Sequence, residues 1–214
     1  VGTDKSLLYA KGCEITGTDT TGFKLAKQVA LQSDIIILSV GESAVMSGEA
    51  KSRSQLNLPG VQEQLVKAMV ATGKPVIVLI SAGRPLIFNW VADHVPSIVY
   101  TWWLGTEAGN AIADVLFGDY NPSGKLPMTF PRQEGQIPIY YNYYSTGRPF
   151  KNDTDFTYVT AYTDLPNSPR FPFGYGLSYT HFEYGLIQLS DSVIKAGGSI
   201  QASIQVRNTG NYAG

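Results

Sequence analysis

Cysteine is nearly absent: Cys13 is the only one in 214 residues. That excludes an internal disulfide and a thiolate metal cluster. Histidine is almost as scarce. His94 and His181 lie far apart, with no His-Glu-x-x-His or mixed Cys/His spacing, so no metal and no cofactor is expected. No apolar segment reaches the ~18 residues of a membrane span, and Val1-Gly2-Thr3 does not open a signal peptide. Charge is thin as well: charged residues make up 15%, the formal net charge is -1, and Lys and Arg form no cluster. Neither nucleic acid nor a membrane surface is expected as a partner. Two phosphate-binding loops are missing, since no Gly-x-Gly-x-x-Gly follows a strand and no Gly-x-x-x-x-Gly-Lys-Ser/Thr occurs. Ser47 and Ser81 lack a Gly-x-Ser-x-Gly elbow, which argues against a serine-hydrolase triad.

What is present is apolar and aromatic. Hydrophobic residues make up 43%, with 13 Tyr, 9 Phe and 3 Trp, enough for a large buried sheet. Ser6 to Ala10 reads as a short strand, and Phe23 to Gln32 as a helix burying Phe23, Leu25, Ala26, Val29 and Ala30. Ile35 to Val40 and Pro75 to Ile80 are apolar runs, the pattern of strands covered on both faces. Ser97 to Trp103 predicts a third strand. Helices are expected over Val61 to Ala71, stopped by Gly73 and Pro75, and over Asn110 to Phe117, stopped by Gly118. A short amphipathic segment, Leu86 to Val91, precedes the third strand. Alternating strands and helices with short connections argue an α/β fold: a mostly parallel sheet flanked by helices on both faces.

From Asp119 the texture changes. Asn121 to Pro127 is turn chemistry, Met128-Thr129-Phe130 is at most an edge strand, and Thr146 to Arg170 is a Pro-, Asp- and Thr-rich surface excursion. Phe171 to Tyr179 joins aromatics to glycines, as in a tail strapped against a domain. Tyr184 to Leu189 and Ser199 to Asn208 alternate at period two, like the opening strands of a β-sandwich. With no initiating Met, and an end just past a strand, a fragment is expected at both ends.

One stretch organises the candidate chemistry. The strand ending at Val40 empties into Gly41-Glu42 and a polar loop carrying Glu49, Lys51 and Arg53, before Leu58-Pro59-Gly60 closes it. Open α/β sheets hold ligands at the C-terminal ends of their strands. A loop Glu is more often a solvated surface residue, and Glu42, directly after a strand, could simply accept backbone hydrogen bonds. Glu49 has more in its favour, because a carboxyl group on a mobile loop suits a general acid that reaches a leaving-group oxygen. Trp102-Trp103 and Tyr140 to Tyr144 could stack on a sugar, but at strand positions such residues are more often core.

Several blocks together are highly specific. They are Tyr9-Ala10-Lys11-Gly12-Cys13, Val40-Gly41-Glu42, Ser47-Gly48-Glu49-Ala50-Lys51-Ser52-Arg53 and Leu58-Pro59-Gly60-Val61-Gln62. In order after them come Gly83-Arg84-Pro85, Trp103-Leu104-Gly105-Thr106-Glu107-Ala108-Gly109, Leu116 to Pro127 and Phe171 to Tyr179. In these the chain resembles the C-terminal half of glycoside hydrolase family 3 enzymes, especially those of the bacterial periplasmic β-glucosidase type. The resemblance implies that residues 1–183 are the family's α/β sandwich domain without its first part. Residues 184–214 would begin a fibronectin-III-like domain. It implies a retaining β-glucosidase that cleaves terminal β-linked glucose from short oligosaccharides or aryl glucosides by double displacement.

The nucleophile, an Asp, would lie in an N-terminal (β/α)8 barrel that this chain does not contain, so the chain alone should be inactive. The general acid/base would be Glu49, with Glu42 as a supporting residue. Two carboxyl groups about 5–5.5 Å apart are required across the sugar. Lys51 and Arg53, which would stabilise the carboxylate in close contact, are expected to point elsewhere, as loop anchors or substrate contacts. A periplasmic or secreted location is implied, and the resemblance leaves room for a homodimer. The rival readings are action on β-xylosides, or a non-catalytic carbohydrate-binding or scaffolding module.

Overall fold

The computed structural model describes residues 6–145, 147–154 and 156–214. The start at Val1-Gly2-Thr3 lies outside the described residues, as do positions 146 and 155 of the long excursion. The chain divides into two compact units, one running through residue 105 and resuming over 126–174, the other formed by 106–125 and 175–214.

The first unit is built on three parallel strands, β1 (Ile36–Gly41), β2 (Val76–Ser81) and β3 (Ser97–Tyr100), in the order β1-β2-β3. Ile36 pairs with Val76 and Gly41 with Ser81, while Ile77 pairs with Ser97 and Ile80 with Tyr100. The period of two therefore sends Ile36, Leu38, Val40, Val76, Val78, Ile80, Ile98 and Tyr100 to one face. That face joins a single core with Leu65, Val66 and Met69 of α2 (Gln62–Val70), Ala26 and Ala30 of α1 (Phe23–Leu31), and Val91 of α3 (Asn89–His94). Val66, Val78, Ile80 and Val91 are wholly buried; each such side chain contributes roughly 1.5–3 kcal/mol of transfer free energy. α2 lies on β1 and β2, and α1 and α3 each lie on α2. α2 ends where Gly73 takes a left-handed backbone (φ +74) before Pro75, as expected from its sequence.

Several details differ from expectation. Ser6 to Ala10 is not a strand: it runs unpaired, with Leu7 and Tyr9 78% and 84% exposed. Apolar residues make a strand only where a sheet edge accepts their backbone groups. In α1 Leu25 points outward rather than into the core, because the buried stripe is set by Ala26 and Ala30 and Leu25 lies about 100° round the helix from Ala26. β2 comes nearest to being covered on both faces, with Leu79 buried and Ile77 half-buried on the face away from the core. On β1 Ile37 is 48% exposed, and Ile37, Ile77 and Val99 lie outside the core. The helices of this unit thus cover one face of the sheet. β3 stops at Tyr100 instead of Trp103, since Trp102 adopts a left-handed backbone (φ +56).

Beyond the sheet, Phe130 forms an antiparallel bridge with Phe171. Phe88, Tyr100, Trp102, Phe130 and Phe171 make one aromatic cluster, Phe130 meeting Tyr100 edge-on at 5.0 Å. Trp102 is therefore core.

The second unit holds α4 (Ala108–Phe117), ended by Gly118 in the left-handed region. The tail is strapped to the segment after α4: Asn121 Oδ1 accepts from the Tyr179 amide at 2.8 Å and from Ser178 Oγ at 3.0 Å. The two expected alternating strands form a broken antiparallel ribbon. β4 (Phe182–Tyr184) pairs with β7 (Val206–Asn208) and β5 (Gln188–Leu189) with β6 (Ala202–Ser203). All four strands are exposed, as a two-stranded ribbon must be.

Candidate active site

The loops following β1, β2 and β3 converge at one end of the sheet. Gly41 has φ +142, and a Cβ there would lie 1.9 Å from the Ser81 carbonyl oxygen, so only glycine lets the ends of β1 and β2 approach this closely. Its amide donates to Gln62 Oε1 at 2.7 Å, and Gln62 Nε2 donates to the carbonyls of Gly41 (2.8 Å) and Ile15 (2.9 Å). Gln62, itself buried, thus ties the strand end to the first turn of α2. On the neighbouring strand Gly83 is equally tight: a Cβ there would lie 2.1 Å from Ser47 Oγ and 2.4 Å from Trp103 Nε1. All three loops meet at that glycine.

Glu42 follows directly. Its amide donates to the Ser81 carbonyl at 2.8 Å, and its carboxyl group is completely buried between two guanidinium groups. Arg53 Nη1 donates to Glu42 Oε1 at 2.7 Å, while Arg84 Nε lies 3.1 Å from Oε1 and 3.3 Å from Oε2. A buried charge needs such partners. Arg53 also donates from Nη2 to the Asn57 carbonyl at 3.0 Å. Arg84 Nη2 donates to the carbonyls of Met46 and Lys51, the second at 3.0 Å. The backbone of Arg84 is held in turn by Tyr100, whose hydroxyl donates to the Arg84 carbonyl and accepts from the Leu86 amide at 3.2 Å. Burial pushes that phenol far above its ordinary range, so it stays a neutral donor.

Above this base the loop rises through a 3₁₀ turn, Ala44–Met46, to Glu49. Gly48 (φ +131) and Ala50 (φ +57) flank Glu49, both at positive φ. For Ala50 this is a strained conformation that costs about 1 kcal/mol or more. The turn closes with the Lys51 amide on the Gly48 carbonyl at 3.2 Å. Glu49 is exposed and makes no ion pair or side-chain hydrogen bond among the described residues. Lys51 is exposed beside it. Glu42 and Arg53 therefore pair at the base of the loop, while Glu49 and Lys51 stand clear of them.

The aromatic candidates separate. Trp103 is 45% exposed at the convergence of the loops, and Tyr140, Tyr141, Tyr143 and Tyr144 are all exposed, Tyr141 stacking on Phe173 at 4.4 Å. Glu42 also borders an open pocket of about 150 Å³, together with Lys11, Cys13, Glu14, Gln62 and Ser81. Sequence reasoning gave no role to Arg84 or Gln62. The available signals were an Arg directly after a strand-end Gly83, and a Gln in the first turn of a helix beside the apolar Val61 and Leu65.

A parallel sheet flanked by helices, whose strand-end loops gather around buried ion pairs with an exposed carboxyl group above them, defines an α/β domain. Residues 7–179 match the glycosyl hydrolase family 3 C-terminal domain, and the chain belongs to that family. Among curated relatives, a periplasmic beta-glucosidase of Salmonella typhimurium is 42% identical over all of this chain and 31% of its own length. A beta-xylosidase of Formosa agariphila is 44% identical over all of this chain and 29% of its own length. The chain thus spans less than a third of either relative. Among solved structures, a beta-glucosidase from Listeria innocua in complex with glucose superposes with a TM-score of 0.87 at 38% identity. That match covers 94% of this chain and 28% of the other.

Proposed function

We propose that this chain is the acid/base-bearing domain of a retaining β-glucosidase, with Glu49 as its general acid/base. The observation that carries the reading is the loop after β1: a buried base fixed by Glu42, Arg53 and Arg84, and a crest that presents Glu49 to solvent. The nucleophilic Asp would come from an N-terminal barrel outside this chain. In the first step Glu49 gives its proton to the glycosidic oxygen as the Asp attacks the anomeric carbon and the aglycone leaves. In the second, the Glu49 carboxylate takes a proton from water as that water displaces the Asp, returning both groups to their starting states. A group that must protonate a leaving group and then admit water has to reach a site it does not itself enclose, and the exposed crest suits that task.

The substrate would be a short β-glucoside, consistent with the relatives named as β-glucosidases. The β-xylosidase relative, at similar identity, favours β-xylosides as the second reading. Lys51, exposed next to the crest, is placed as a substrate contact, and residues 184–214 as the opening of a fibronectin-III-like domain. The Salmonella relative supports a periplasmic location. The test is Glu49→Ala in the full-length enzyme, read as kcat/KM across aryl glucosides of differing leaving-group acidity. Loss of general-acid assistance should cost about 10²–10⁴-fold for the poorest leaving groups and far less for 2,4-dinitrophenyl glucoside. Unchanged kinetics would reject the assignment and leave the non-catalytic module as the better reading. Comparing glucosides with xylosides on the unaltered enzyme separates the two substrate classes.

A further inference from the structure

We infer that Arg84 is a positioning residue for Glu49: one guanidinium closes the neck of the loop whose crest carries the acid/base. This rests on the reading of Glu49 given above. The geometry is specific. Arg84 Nη2 donates to two backbone carbonyls, Met46 and Lys51, which bracket residues 47–50. The same side chain is anchored at Nε by the wholly buried carboxyl group of Glu42. Its own carbonyl accepts from the Tyr100 hydroxyl at the end of β3. A chain of contacts thus runs from the sheet through Tyr100, Arg84 and Glu42 to both sides of the crest, and none of these groups need touch the substrate. Arg53, the other partner of Glu42, reaches the Asn57 carbonyl instead and braces only the descending arm.

Arginine is suited to this role because its planar fork offers several donors in fixed directions, whereas a lysine ammonium supplies charge without that geometry. Among the described residues, the crest is otherwise held only by the Lys51 amide on the Gly48 carbonyl and by Ser47 packed at Gly83. Gly48 carries no side chain and Ala50 sits at an unfavourable φ, so without the clasp the loop would relax toward unstrained backbone and carry the carboxyl group away. A displacement of about 1 Å can cost about 10²-fold in rate.

The experiment uses the full-length enzyme with Arg84→Lys and Arg84→Ala, each also placed in a Glu49→Ala background, and reads kcat/KM for phenyl and 2,4-dinitrophenyl glucosides. With Glu49 present, Arg84→Lys should lower kcat/KM for the phenyl glucoside about tenfold or more and leave the dinitrophenyl glucoside nearly unaffected. In the Glu49→Ala background the same change should add almost nothing, since Arg84 acts through Glu49. A general structural role would instead lower both substrates equally and persist without Glu49; either result overturns the inference. If Arg84→Ala does not fold, Arg84→Lys carries the same reading. If Glu49→Ala itself shows no leaving-group selectivity, the acid/base assignment fails first. If Glu49→Ala is selective and Arg84→Lys is not, only the positioning role falls.

Discussion

The base and the crest of one loop are built by opposite rules. At the base, Gly41, Glu42, Leu56 and Leu58 are buried and Arg53 is half-buried, and backbone groups pair with Gln62, Ser81, Arg53 and Ile87. The Glu42 side chain there is fully buried and has two cations within 3.1 Å. At the crest, residues 47–50, Glu49 faces solvent between two residues at positive φ. Both glutamates are carboxyl groups seven positions apart, yet one is locked between two guanidinium groups and the other faces solvent. An acid/base delivered from a loop needs both parts, because freedom at the carboxyl group is useful only when its range is bounded by a fixed neck.

The contrast can be broken from the base. Glu42→Gln leaves the Arg53 and Arg84 guanidinium groups without their shared counter-charge. It should destabilise the domain by about 3 kcal/mol, the scale of a buried pair that loses one partner, as read by chemical denaturation. A midpoint unchanged from the parent would show that the base does not depend on that carboxylate. Gly41→Ala should come next, at about 2 kcal/mol, since its new Cβ would press on the Ser81 carbonyl and part the ends of β1 and β2. A freely tolerated alanine there would mean the strands can separate without cost. Gln62→Leu is smaller, at about 1–2 kcal/mol, because the buried Gly41 amide would lose its acceptor; slower amide exchange at Gly41 in that variant would contradict it. At the crest, Glu49→Gln should shift stability by no more than about 0.5 kcal/mol, as for an exposed surface change. A larger loss would make Glu49 structural too.

Much of the fold was legible in the residues, and the failures share a cause. The β2 run Val76-Ile77-Val78-Leu79-Ile80 looks doubly covered and nearly is, with Ile77 alone half-buried. Ile35 to Val40 looks the same but is half open, because an apolar run records what a strand could bury and says nothing of which neighbours arrive to cover it. Leu7-Leu8-Tyr9 fails as a strand for the same reason. At the candidate site, local sequence could not separate Glu42 from Glu49. Glu42 is distinguished by arginines 11 and 42 residues further along the chain, and no pattern within the loop encodes that distance. Loop position only leaned toward Glu49 as the candidate acid; the family resemblance gave the two glutamates distinct expected roles, and it was silent on Arg84.

The most direct measurement is the product formed by full-length Glu49→Ala with 2,4-dinitrophenyl β-glucoside in the presence of azide. With the acid/base removed, azide needs no deprotonation and can attack the glycosyl-enzyme where water cannot, so turnover should accelerate and β-glucosyl azide should appear by NMR. The unaltered enzyme, which keeps Glu49 and its supports, should hydrolyse to glucose and give no adduct. No azide acceleration in Glu49→Ala, an α-configured adduct, or an adduct from the unaltered enzyme would contradict the placement of the acid/base at the crest of the loop.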